Sequence, residues 1–202
     1  MPNILRLHLI SLQIQASGIT ISLLMRRLRN LALHPSAYQR LSAAAVFSHM
    51  YRFFREETSQ VSLYALELLQ TFLLSLRICH GDSNSLAAAT GDAASTACSR
   101  LLRIVTTKAK VLNKHDHARK SFQDLSELVE WLFKQCGAVE TKFRRQCMQL
   151  FTELSPQLPS VSGPSHWVSS YIETNGLSAL LLVFEGNIGA PPVFNTTNKS
   201  YK

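Results

Sequence analysis

The chain has 202 residues, long enough to bury roughly 70% of its unfolded surface if it folds compactly. With 46% apolar and only 17% charged residues, its composition excludes intrinsic disorder over most of the length. An excess of 21 Lys and Arg over 13 Asp and Glu gives a net charge of +8, which favours an acidic partner without separating nucleic acid from an anionic membrane.

From Met1 to Arg55 there is no Asp or Glu, whereas Arg6, Arg26, Arg27, Arg29, Arg40, Arg52 and Arg55 are basic. An acid-poor, arginine-bearing start is a feature of mitochondrial presequences, although most of these arginines lie beyond position 25. The uncharged run Leu9 to Met25 carries Ser11, Gln13, Gln15, Ser17, Gly18, Thr20 and Ser22, and is too short and too polar for a bilayer span. Residues 1–21 are therefore left unassigned.

The dominant signal beyond that point is apolar spacing of three and four residues, segment after segment, which predicts helices. Leu24, Leu28 and Leu31 form a short stripe that stops at His34-Pro35. Pro35 suits the first turn of the next helix, in which Ala43, Val46, Phe47, Met50 and Phe54 give one apolar face through to about Glu57. Thr58 or Ser59 is a natural cap for a long amphipathic helix on Val61, Ala65, Leu68, Phe72, Leu76 and Cys79, ended by Gly81. Asp82 and Ser83 can cap a fourth segment from Leu86 to Val105, with Gly91 weakening its middle.

Past a polar loop, Ser121 with Asp124 resembles a capping box. The helix it opens carries Phe122, Leu125, Leu128, Val129, Leu132, Phe133 and Cys136, and Gly137 closes it in a position open to left-handed geometry. Phe143, Cys147, Leu150, Phe151 and Leu154 repeat the pattern until Pro156 and Pro159, after a turn short enough to force an antiparallel pair. Ser165 can cap a helix carrying Trp167, Val168, Tyr171 and Ile172, and Asn175-Gly176 separates it from a last apolar segment, Leu177 to Phe184. The expected fold is all-α, about eight helices in antiparallel pairs. Pairs begin near 22, 60, 121 and 165, a spacing that suits a HEAT-like solenoid with one insertion, over residues 22–186. Residues 187–202 offer little to bury and are expected to be a disordered tail.

Cys79, Cys98, Cys136 and Cys147 have no close pairing and read as reduced, buried thiols. His80 beside Cys79, and His115 and His117 around Asp116, lack the ordered ligand spacing of a zinc site, so no metal or cofactor is expected. The glycines are scattered and form no phosphate-cradling loop, which speaks against phosphoryl transfer in this chain.

Two interaction features stand out. Arg103, Lys108, Lys110, Lys114, Arg119 and Lys120 face Asp116 alone, so Lys108, Lys110, Lys114, Arg119 and Lys120 are candidate phosphate contacts to nucleic acid. A solvated loop between helices is the plainer reading, because aromatics for base stacking are missing from that stretch. The Trp131, Leu132 and Phe133 cluster reads as packing between helices, with Trp131 off the main stripe.

Leu31-Ala32-Leu33-His34-Pro35-Ser36-Ala37-Tyr38-Gln39-Arg40-Leu41 and Tyr51-Arg52-Phe53-Phe54-Arg55-Glu56-Glu57 are followed in order by Trp131-Leu132, Cys136-Gly137, Leu150-Phe151, Pro156, Leu158-Pro159, Trp167 and Phe184-Glu185-Gly186. This order resembles the middle helical scaffold of the DNA-dependent protein kinase catalytic subunit family, a branch of the phosphatidylinositol-3-kinase-related kinases. The resemblance covers roughly residues 22–186 and implies a non-catalytic HEAT-repeat scaffold fragment. It further implies a nuclear role in double-strand-break repair by non-homologous end joining, with the remainder of the kinase scaffold, the Ku heterodimer and DNA ends as partners. No small-molecule substrate and no membrane partner are implied. Ser59-Gln60 matches the Ser-Gln dipeptide that such kinases prefer, which makes Ser59 a candidate phosphosite as well as a candidate cap. The competing expectation is a free-standing helical-repeat adaptor, targeted to mitochondria by its acid-poor start.

Overall fold

The computed structural model describes residues 21–79, 85–112, 122 and 124–185. Among them are nine α-helices, one short 3-10 turn at Ser155–Gln157 and no strand. The helices are α1 (Ile21–Ala32), α2 (Ala37–Glu56), α3 (Thr58–Ile78), α4 (Ser85–Thr107) and α5 (Ala109–Leu112), followed by α6 (Leu125–Gln135), α7 (Thr141–Leu154), α8 (Pro164–Asn175) and α9 (Leu177–Phe184). The all-α expectation holds, with the four-residue α5 added to the eight helices read from the sequence.

The helices pack as the pairs α1/α2, α3/α4, α6/α7 and α8/α9. Successive pairs then stack: α1 lies on α3 and α2 on α4, α7 lies against both α3 and α4, and α9 meets α6. That is the layered arrangement of a helical repeat, in which each pair buries its apolar flank on the next. One continuous core runs from Met25 and Leu28 in α1 to Val183 in α9.

α3 is the central helix. It buries Val61, Ala65, Leu68, Phe72 and Leu76 as the spacing predicts, but also Leu66, Leu69 and Leu73, because neighbours press on it from two sides. Its length and apolarity would allow it to cross a membrane, yet 56% of its most apolar window is buried among other helices, which is how a core helix behaves. Gly91 does not interrupt α4. It is buried there, where α4 passes Leu76 of α3 and Cys79 just beyond it.

Several helix starts differ from the sequence reading. α3 begins at Thr58 after Glu57, with no side-chain cap, so Ser59 lies within the first turn and does not cap. Pro35 precedes the first turn of α2, whose N-cap position is Ser36. The cap of α6 is Asp124, whose Oδ1 accepts the Glu127 N–H at 3.0 Å, and not Ser121, which lies outside the described residues. α8 starts after Gly163 with Pro164 in its first turn, leaving Ser165 inside the helix. Gly137 is not in the left-handed region, whereas Gly176 is, at φ 85°, where it ends α8. Gly81, Asp82, Ser83, the segment 1–20 and the expected tail 187–202 lie outside the described residues.

Candidate interaction surfaces

α4 ends at Thr107, where the chain turns and resumes as α5. The Lys108 N–H still donates to the Ile104 carbonyl at 2.9 Å, while the Lys108 carbonyl accepts from Val111 and Leu112. Burial of Ala109 and Leu112 draws α5 onto the core and leaves Lys110 exposed. Lys108 is half-buried, and its Nζ donates to Thr58 Oγ1 at 2.9 Å across the start of α3. The two features that the sequence singled out separately therefore meet: Lys108 reaches the residue next to Ser59, and Ser59 itself is exposed. Lys114, Arg119 and Lys120, with His115, Asp116 and His117, lie outside the described residues.

The same corner holds an aromatic that linear reading did not connect to it. The Arg100 guanidinium of α4 lies 5.4 Å from the Tyr51 ring centroid and that of Arg55 lies 5.9 Å from it. Arg55 at four residues from Tyr51 was visible in the sequence, but Arg100 comes from another helix. Arg55 also binds Glu56 at 2.6 Å, which removes part of its charge from the surface.

Trp131 packs within the body, its ring 6.0 Å from that of Phe122 and 6.5 Å from that of Phe143. Two cations escaped the sequence reading, Arg40 buried and Arg77 half-buried. Arg40 is 1% exposed and donates to the carbonyl oxygens of His34 (2.9 Å) and Pro35 (2.5 Å), tying down the turn between α1 and α2. Arg77 donates to Glu140 at 2.9 Å and lies over the Phe143 ring, joining α3 to the start of α7.

The cysteines are all free thiols. Burial pushes Cys136 up to about 12 and holds Cys98 and Cys147 well above the ordinary thiol range. Such thiols stay protonated at neutral pH and make poor nucleophiles and poor metal ligands. Among the described residues no group of three or more His, Cys, Asp or Glu is placed to hold a metal ion, and His80 lies outside them.

The last helix presents apolar side chains to solvent. Val183 is buried, but Leu177, Leu181, Leu182 and Phe184 of α9 are 59%, 54%, 41% and 64% exposed. In a repeat stack this is the face on which a further helix pair would sit. The described residues thus form a helical repeat with a basic corner and exposed apolar side chains on the last helix.

Residues 11–193 match the family model described as DNA-dependent protein kinase catalytic subunit, CC1/2. The chain belongs to the DNA-dependent protein kinase catalytic subunit family. It is 39% identical over 181 residues to the DNA-dependent protein kinase catalytic subunit of Mus musculus, an alignment covering 86% of this chain. It is 41% identical over 170 residues to that of Gallus gallus, covering 81% of the chain, and 38% identical over 177 residues to that of Xenopus laevis, covering 84%. In each case the chain spans only about 4% of the relative's length.

Proposed function

We propose that this chain is a non-catalytic HEAT-repeat scaffold segment acting in DNA double-strand-break repair by non-homologous end joining, in the nucleus. Its partners on this reading are the remainder of a kinase scaffold, the Ku heterodimer and DNA ends, and phosphoryl transfer belongs to other parts of such a kinase. The observation that carries the reading is the alignment of more than four-fifths of the chain with about 4% of much longer kinase subunits. The apolar side chains that α9 exposes among the described residues support it, because stacked repeats bury such faces on one another. No observation favours the free-standing mitochondrial adaptor.

Within this role the basic corner at Lys108 and Lys110, continued in sequence by Lys114, Arg119 and Lys120, supplies sequence-independent phosphate contacts. Ser59 serves as a phosphoacceptor there. It is exposed in the first turn of α3, where added negative charge meets the helix N-terminus and the neighbouring Lys108 ammonium.

The test is a graft. Residues 21–185 replace the aligned segment of a full-length vertebrate relative, and end joining is measured in cells lacking the endogenous subunit. Restored joining with nuclear recruitment to breaks is the expected result, and a stably folded, expressed chimera that restores neither would overturn the proposal.

A further inference from the structure

A groove of about 610 Å³ runs between the start of α6, the turn Leu158–Val161 and the exposed side of α8. Its floor is aromatic. Trp167 and Tyr171 are stacked at 5.3 Å with their planes 16° apart, and Phe133 lies beneath at 5.0 Å from each. Tyr171 is nearly covered, while Trp167 is half-buried and so keeps ring surface open to the groove. The floor is also rigid, because Phe151 braces Phe133 and Trp167 from α7 at 5.3 and 5.2 Å.

Two carboxylates stand among the described residues that line the groove. In a chain of net charge +8, the described residues that line the groove include Asp124, Glu130 and His166 and, among them, no lysine or arginine. Asp124 is fixed as the α6 cap through its Oδ1, and Glu130 is held by Lys134 at 2.6 Å, one turn along the same helix, a pairing that offsets part of its charge. The lip opposite them is held in shape by Ser160 at φ 63°, a left-handed conformation that a non-glycine residue adopts only where its surroundings impose it.

We propose that this groove is a docking site for an extended peptide segment that presents an arginine side chain. Tyr171 takes one face of the Trp167 indole, and a planar guanidinium can pack on the ring surface that stays exposed while offering its edge donors to the carboxylates that line the same groove. The compact, strongly hydrated ammonium of lysine fits the carboxylates but not the stacking face. Nucleic acid is disfavoured, because its phosphates would meet Asp124 and Glu130. The groove lies on the third and fourth helix pairs, apart from the basic corner at Lys108, so the site is independent of the proposed repair role.

Fluorescence anisotropy of the full 202-residue chain with a fluorescein-labelled Ala/Ser decapeptide holding one central arginine tests the proposal. Matched peptides carry lysine or the neutral isostere citrulline. The arginine peptide is expected to bind about tenfold more tightly than either, and its binding to quench tryptophan emission. Glu130→Arg and Ser170→Arg, both at exposed positions lining the groove, should each weaken binding about tenfold with unchanged circular dichroism. Glu153→Arg on α7, outside the groove, should leave it unchanged. Equal affinity for the citrulline peptide, indifference to both folded groove variants, no detectable binding, or displacement of the peptide by duplex DNA would overturn it.

Discussion

Replacing Phe133 with Ala tests whether the fourth helix pair is held to the body by one aromatic cluster. Phe133 is 4% exposed, and its ring lies 5.3 Å from that of Phe151 on α7 and 5.0 Å from those of Trp167 and Tyr171 on α8. Truncation forfeits the ring's transfer free energy and leaves a cavity that rigid helices cannot fully close, a combined cost of about 3–5 kcal/mol. The ring-to-ring contacts, each worth about 0.5–1.5 kcal/mol beyond area, overlap with that figure and are not added to it. In a stack where each pair touches only its neighbours, a loss at one junction is felt first by the pair beyond it. In a Trp131→Phe background Trp167 alone reports on that junction. Urea melts followed by emission should then show α8 releasing at lower urea than the far-ultraviolet dichroism of the remaining helices. A loss under about 1 kcal/mol, or coincident and unshifted transitions, would refute the assignment of Phe133 as the anchor.

Gly91→Ala should stabilise the chain by about 0.5–1 kcal/mol, because glycine is a poor helix residue and an added Cβ would meet Leu76 Cδ1 at 3.7 Å and Cys79 Cβ at 4.0 Å, ordinary contact distances. A lowered melting temperature would show that α3 and α4 sit closer than this. Arg77→Ala should cost toward the lower end of about 3–5 kcal/mol by stranding the Glu140 carboxylate, since the two side chains are only 13% and 15% exposed. The double variant Arg77→Met with Glu140→Gln should lose less than Arg77→Ala in the same denaturant melts, and equal losses would contradict the pairing. The folded state holds the Cys98, Cys136 and Cys147 thiols protonated above their usual value of 9.0. Their contribution is therefore fully present below about pH 9 and is lost as pH rises from 9 toward about 12 for Cys136, by up to about 1.4 kcal/mol per pH unit for each thiol. Urea melts at pH 8, 9 and 10 should show a shallower fall after Cys98→Ala and Cys147→Ala, and identical slopes would reject the cause.

The helix faces were legible because burial repeats with the helical period. Val61, Ala65, Leu68, Phe72 and Leu76 in α3 and Phe143, Cys147, Leu150, Phe151 and Leu154 in α7 are all buried. Where a face was misjudged, the stripe was wide or short: α1 buries Met25 and Ala32 beside Leu28, not Leu24 and Leu31, and Val46 of α2 is 40% exposed. Starts were less legible, since Ser, Thr and Asp cluster around several of them and only the local hydrogen bond chooses. Asp124 wins at α6 by accepting from Glu127, and Ser59 loses at α3 because the chain is already helical at Thr58. Arg40 and Arg77 were invisible as interior groups because a charged residue is assigned by default to the surface, and its partners lie in turns or on other helices.

What periodicity cannot carry is how one pair sits on the next. Apolar burial is proportional to area and indifferent to direction, so two helical layers could slide by a turn with little change in buried area. The polar contacts that bridge the layers forbid this. Arg29 reaches Glu67 between α1 and α3 at 2.6 Å, Arg77 reaches Glu140 between α3 and α7 at 2.9 Å, and Ser95 reaches Gln146 between α4 and α7 at 2.7 Å. These partners are 38, 63 and 51 residues apart, so no local pattern announces them. The acid-rimmed groove has the same origin, with its rim on α6, its lip in the turn after α7 and its floor on α8. In this chain the scaffold is written locally and its recognition surfaces arise where layers meet, so substitutions at the junctions should alter partner binding while leaving helix content intact.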